Sequence, residues 1–295
     1  MIKRAIKSVL LFPFWACRKA FELYDKVLSN IFPQLKGLGR QQFINYLDND
    51  ISLTKHGSIS FKLYTPNLIC NFRHRTFSSK EPELIEWIEE YGGGVFFDIG
   101  ANIGIYSLFY TQAKEGHVFS FEPSVFNLRQ LAKNISINKL SERITIVSNP
   151  LSETTSVAKF INGSADEGGA LSAFGVEYGH DGEPITSEIN YNVLGFSLDD
   201  LFEKNILTET PSLIKIDVDG IEHLILKGAS KILKSENLKS LFIEVNDDFR
   251  EQANQVKTIL ESAGFALKEK RHSEMMDGSE KFGRTYNQIW IKTSG

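Results

Sequence analysis

Several acids, glycines and amides in this chain stand at the ends of apolar runs. Asp98, Gly100, Asn102 and Gly104 fall together in VFFDIGANIG, Glu122 closes HVFSFEP, and Asn149 closes ITIVSNP. Asp217 and Glu244 close LIKIDVDG and SLFIEVN, with His223 a few residues beyond Asp217. A glycine-bearing turn between a strand and a helix lets backbone approach a ligand at a helix N-terminus. Glu122, eighteen residues past Gly104, stands where an acid at a second strand's end reaches the two ribose hydroxyls of a nucleoside cofactor. The competing reading is an ordinary strand-to-helix turn that holds nothing.

Those side chains need a scaffold, and the 295-residue chain is long enough for one large core with an N-terminal addition. Hydrophobic residues make up 42% and charged residues 24%, the balance of an ordinary globular protein. A net charge of -4 argues against a nucleic acid partner bound through phosphates. Cys17 and Cys70 show neither disulfide-framework nor zinc-ligand spacing, which fits a reducing, cytoplasmic compartment.

Residues 1–40 read as a basic amphipathic helical segment carrying Lys3, Arg4, Lys7, Arg18 and Lys19 among Phe14, Trp15 and Phe21. Such a helix lies on an anionic membrane surface or packs on the domain or a second subunit, so peripheral membrane contact through residues 1–35 and a homo-oligomer are both expectations. Lys36 to Arg40 reads as a linker, and residues 41–80 as an extended lead-in. There Ile59, Phe61 and Leu63 alternate as in a hairpin, and Arg73, His74 and Arg75 form a basic turn able to hold an anionic substrate group. Residues 81–295 alternate strands and helices, which argues for a doubly wound α/β sheet, with two closing strands at FALKEKR and YNQIWIK. A glycine-rich detour over 151–198 is where such folds place substrate recognition. GIEHLILKGASKIL reads as one helix after the fourth strand.

Taken in order, DIGANIG, FEPSV, SLDD and IKIDVDGIE resemble the DxGANxG, FEPxP, TLDD and IKIDVEGxE patterns of the FkbM-type methyltransferases, a branch of the class I S-adenosylmethionine-dependent enzymes. The resemblance covers roughly Arg73 to Trp290. Val125 departs where a second proline is common, Asp219 replaces a glutamate, and Asn149 replaces the acid near the adenine. The resemblance implies a Rossmann-like sheet in the order 3-2-1-4-5 with an antiparallel edge hairpin, and S-adenosylmethionine as cofactor. On it, Gly100, Asn102 and Gly104 admit the cofactor, Asp98 receives its aminopropyl end, Glu122 clamps its ribose, and Asn149 lies by the adenine.

The expected reaction is O-methylation of a glycan or glycolipid hydroxyl, which needs a base or a metal to take the proton. Asp217 is the first choice of base, with Glu244 on the neighbouring strand converging on the same hydroxyl or sharing a Mg2+ ion with it. His223 is a third candidate. The competing reading is that either acid, Asp217 or Glu244, only caps the helix at Gly220 or pairs with Lys215, and that His223 merely packs. Two other functions compete: a nicotinamide-dependent oxidoreductase, which shares the strand, turn and distal acid, and a non-catalytic cofactor-binding module in a glycan-assembly complex.

Overall fold

The computed structural model describes residues 2–187, 189–272, 275, 279 and 282–293, with side chains from residue 12 onward. The chain forms two compact units, Met1–Ile51 and Ser52–Gly295.

The first unit holds α1 (Ile2–Ile31) and α2 (Leu38–Asp48), joined by a short 3-10 turn. The segment read as a linker contains the start of α2, because Gly37 at φ +85° turns the chain directly into the helix. The rings of Phe21 and Phe43 pack at 4.6 Å between centroids. No described helix is long and apolar enough to cross a membrane. The side chains of Lys3, Arg4 and Lys7, part of the basic-helix expectation, lie outside the described residues.

The second unit begins with the expected hairpin, β1 (Ile51–His56) and β2 (Ile59–Tyr64) turning at Gly57. Then comes α3 (Leu68–Lys80), and it and α2 correct the extended reading of residues 41–80, which holds only for the hairpin between them. Asn67 caps α3 by accepting a hydrogen bond from the Cys70 N–H at 2.8 Å. Next are α4 (Pro82–Tyr91), β3 (Phe96–Ile99), α5 (Ile105–Ala113), β4 (Val118–Phe121), α6 (Val125–Ile137) and β5 (Ile144–Val147). The glycine-rich detour folds as β6 (Ser156–Ile161), β7 (Ala173–Phe174) and β8 (Asn190–Gly195), a small antiparallel sheet. Completing the chain are α7 (Leu198–Glu203), β9 (Leu213–Ile216), α8 (Glu222–Lys227), β10 (Ser240–Asn246), α9 (Arg250–Ser262), β11 (Phe265–Arg271) and β12 (Thr285–Lys292). Helix α8 is shorter than its sequence suggests. It stops at Gly228, whose backbone lies against Ser152 so closely that a Cβ would sit 2.2 Å from the carbonyl oxygen.

The main sheet has the order β11-β12-β10-β9-β3-β4-β5. Its five parallel strands run 3-2-1-4-5 in chain order, and β12 pairs antiparallel with β10 and β11, as the family resemblance implies. Alternation along the strands sends Phe97, Ile99, Ile214 and Ile216 into one core layer and Phe96, Val118, Leu213 and Phe242 into the other. Asp98, Ser120 and Lys215 are register neighbours, two residues beyond Phe96, Val118 and Leu213, and so share the second face beneath α5.

Candidate active site

The glycine turn after β3 is fastened to the neighbouring strand. The N–H groups of Gly100 and Ala101 both donate to the Phe121 carbonyl at 3.0 Å. Gly100 sits at φ +81°, and a Cβ there would lie 1.9 Å from the Asp217 carbonyl oxygen, so the turn and the end of β9 meet only through a glycine. Asn102, at φ +53°, donates its backbone N–H to Glu122 Oε2 at 2.8 Å. Ser124 N–H donates to Glu122 Oε1, also at 2.8 Å. Glu122 is therefore aimed by two backbone donors from two loops, and burial pushes its pKa up to about 7 despite them.

At the other end of the site the charges interlock. Lys215 Nζ lies 3.3 Å from Asp98 Oδ1 and 3.3 Å from Asp217 Oδ2, and donates to the Gly100 carbonyl at 3.2 Å. Burial alone would push the ammonium pKa down, but Asp217, Asp98 and Glu81 together push it up. Glu81 accepts from Tyr106 Oη at 2.7 Å and pairs with Lys80. The register pairs Phe242 with Lys215 and Ile243 with Ile216, and Glu244 and Asp217 are the next residues along the two segments. Burial and the Asp217 charge push the Glu244 pKa well above the ordinary carboxylate value. Asp219, at φ +64°, accepts from the Leu171 N–H at 2.6 Å.

A strap from the detour, residues 163–172, roofs these groups. Asn67 Nδ2 donates to the Glu167 carbonyl at 3.0 Å, and Arg73 Nε donates to Gly168 O at 2.8 Å. Asn102 Nδ2 and Asn127 Nδ2 donate to Gly169 O at 2.7 and 3.1 Å. Beneath the strap lies a cavity of about 480 Å³.

Of the residues singled out from sequence, Gly100, Asn102, Glu122, Asn149, Asp217 and Glu244 line this cavity. Asn149 does so while donating its amide to the Leu194 carbonyl at 2.8 Å. Three others do not line it. Asp98 is 0% exposed, held by Ser107 Oγ at 2.6 Å and by Lys215, because its place within β3 points it under α5 and not out of the strand end. Gly104 packs against α6, where a Cβ would meet Leu131. His223 is buried beside Phe249, at 6.2 Å between ring centroids. Of the basic trio, Arg73 alone lines the cavity, since His74 bonds Thr54 Oγ1 at 2.9 Å and Arg75 is exposed. Lys80, Glu81, Tyr106 and Asp219 also line it, though sequence reasoning gave them no role there. Among the described residues no group of three or more His, Cys, Asp or Glu side chains is placed to hold a metal ion.

The family described as "Methyltransferase FkbM domain" matches residues 98–267, more than half of the chain. The chain belongs to the FkbM methyltransferase family. Its FkbM domain thus takes in the glycine turn, Glu122, the strap and both β9 and β10. Neither the oxidoreductase nor the non-catalytic reading is favoured by this match. The crystal structure of methyltransferase FkbM from Methylobacillus flagellatus KT is similar at 19% identity and a TM-score of 0.43, covering 66% of this chain and 42% of that one, so the match spans less than half of that protein. A fibrillarin pre-rRNA processing protein from Methanococcus jannaschii is similar at 14% identity and a TM-score of 0.45, covering 83% and 84%. An rRNA methylase from Streptococcus thermophilus is similar at 11% identity and a TM-score of 0.42, covering 71% and 93%. No functionally curated protein matches the chain.

Proposed function

We propose that this FkbM domain is an S-adenosylmethionine-dependent O-methyltransferase acting on a hydroxyl of a glycan or glycolipid. The observation that carries the reading is one cavity with Glu122 at one end and the Asp217–Glu244 pair at the other. A carboxylate has about four lone-pair sites; two backbone donors and the Asn127 side chain face Glu122, and its remaining acceptor capacity would go to the ribose hydroxyls. The cavity is within the range of small-molecule sites, and Pro150 and Leu151 offer apolar surface beside Asn149 for a purine. The residues present therefore fit the cofactor.

When bound, the cofactor supplies an electrophilic methyl on a sulfonium, so this chain's task is to orient the acceptor and accept its proton. Glu244 suits the second part, because burial and the Asp217 charge raise its pKa and so make its carboxylate a stronger base than an ordinary one. Asp217, the first choice from sequence, instead bridges to Lys215 and supplies the charge that raises Glu244. Glu81, Asp217, Asp219 and Glu244 give this end a surplus of hydrogen-bond acceptors, and Phe72 and Tyr106 add aromatic faces, a combination suited to a polyhydroxylated ring. The same surplus of acids opposes a nucleic acid acceptor.

A glycolipid acceptor assembled on the cytoplasmic face of a membrane would give the basic stretch of residues 1–35 a purpose, in either a monomer or a homo-oligomer. Liposome flotation with and without those residues checks this; equal recovery of both forms contradicts it. The reaction itself is tested by S-adenosylhomocysteine release over a panel of oligosaccharides, nucleotide sugars and lipid-linked glycans, with and without EDTA. Release with a glycan and none with its analogue lacking the methylated hydroxyl is expected. Release only with amine or RNA acceptors overturns the proposal.

A further inference from the structure

Asp98 cannot hold the amino-acid end of a cofactor, since it is sealed from solvent between Ser107 and Lys215. Lys215 in turn has three acceptors around it, Asp98, Asp217 and the Gly100 carbonyl. If the cavity receives S-adenosylmethionine, some other cation has to meet its α-carboxylate, because a buried unpaired carboxylate is costly.

Arg73 is built for that. Three positions at successive turns of α3 hold the strap: Asn67 and Cys70 donate to the Glu167 carbonyl at 3.0 and 3.3 Å, and Arg73 Nε donates to Gly168 O at 2.8 Å. The next strap residue, Gly169, accepts from Asn102 of the glycine turn, so the guanidinium is tied through two adjacent carbonyls to the turn itself. Its charge is felt by both Glu122 and Tyr106, which places it between the ribose end of the cavity and the first turn of α5. The bond at Nε restrains the guanidinium against the strap. Its Nη1 and Nη2 have no hydrogen-bond or ion-pair partner among the described residues, and the side chain lines the cavity. A planar fork with both outer donors unspent is the geometry that takes a carboxylate in two parallel bonds.

On the reading of the cavity as a cofactor site, we infer that Arg73 clamps the α-carboxylate of the cofactor's amino-acid tail, with the strap serving to aim it. The same fork would also suit an anionic group on the acceptor, and the test separates the two sources. Calorimetric titrations compare S-adenosylhomocysteine with its decarboxylated analogue on the wild type, Arg73→Met and Arg73→Lys, each checked for folding by circular dichroism. The expected result is that Arg73→Met weakens S-adenosylhomocysteine by about 10- to 100-fold, leaves the decarboxylated analogue within about twofold, and that Arg73→Lys recovers part of the loss. Equal weakening of both ligands would show that Arg73 only supports the strap, and overturns the inference. So would unchanged binding of both ligands with a raised KM for phosphorylated or carboxylated acceptors alone. Failure of the folded wild type to take up either ligand sinks the cofactor reading itself, a result distinct from either of these.

Discussion

Asp98 and Lys215 are register neighbours on adjacent parallel strands, and their side chains meet at 3.3 Å with only 1% and 2% of their surface exposed. The pair ties β3 to β9 at the point where both strands deliver their loops to the cavity. It also accounts for the burial of an acid in the DIGANIG stretch. Removing one partner of a buried pair strands the other charge. Lys215→Met should therefore destabilise the protein by roughly 3 to 5 kcal/mol, and Asp98→Asn added to it should recover part of that loss. Urea unfolding measures both; a loss below about 1 kcal/mol in the single variant would contradict the role given to the pair.

Glycines of the same stretch should separate by function. A methyl at position 100 meets the backbone of Asp217 at 1.9 Å, which cannot move without displacing β9. A methyl at position 104 meets only the end of the Leu131 side chain, at 2.4 Å, though φ of +84° adds strain of about 1 to 2 kcal/mol. Gly100→Ala should lose S-adenosylhomocysteine binding, whereas Gly104→Ala should melt lower yet still bind. Thermal shift with and without ligand checks both.

The pKa of Glu122, raised by burial to about 7, has two consequences of opposite sign. The folded protein without ligand favours the protonated acid, so this contribution to stability is complete below the unfolded-state value and is lost as pH rises through about 7. Ribose hydroxyls need the ionised acceptor, so affinity should rise over the same interval. Glu222, which accepts from Val218 and Gly220 N–H groups and is likewise raised to about 7 by burial, adds to the first trend and not to the second. Calorimetry on either side of that pH should show affinity climbing in the wild type and flat in Glu122→Gln; a flat wild-type profile contradicts the ribose role.

For proton removal, Glu244→Gln should lower turnover by about 10²- to 10⁴-fold with little change in melting temperature. His223 lies outside the cavity, its pKa lowered by burial, and His223→Asn should keep turnover within about threefold of wild type. Steady-state kinetics on an identified acceptor distinguishes them, and a reversed ranking would contradict the assignment.

Much of this site is legible in the chain. VFFDI, HVFSF and LIKID are buried β-branched and aromatic runs, and such runs can only be central parallel strands once helices alternate with them. Strand ends therefore fall where Glu122, Asp217 and Glu244 need to be. Which way Asp98 points is a different matter, because it depends on pairing with Lys215, over a hundred residues later. Helix α3 is hidden because only Cys70 and Phe77 of its thirteen residues are buried, so no apolar period marks it. Its local signal is the cap at Asn67. The strap is harder still. Its residues are held by bonds to α3, the glycine turn and α6, none of which leaves a trace in its own glycine-rich sequence.

The most direct test is a crystal structure of the protein soaked with S-adenosylhomocysteine. The nucleoside should lie under the strap, with both ribose hydroxyls within hydrogen-bonding distance of Glu122 and the sulfur facing Asp217 and Glu244. A nucleoside bound elsewhere, or one in the cavity whose ribose turns away from Glu122, would contradict that arrangement.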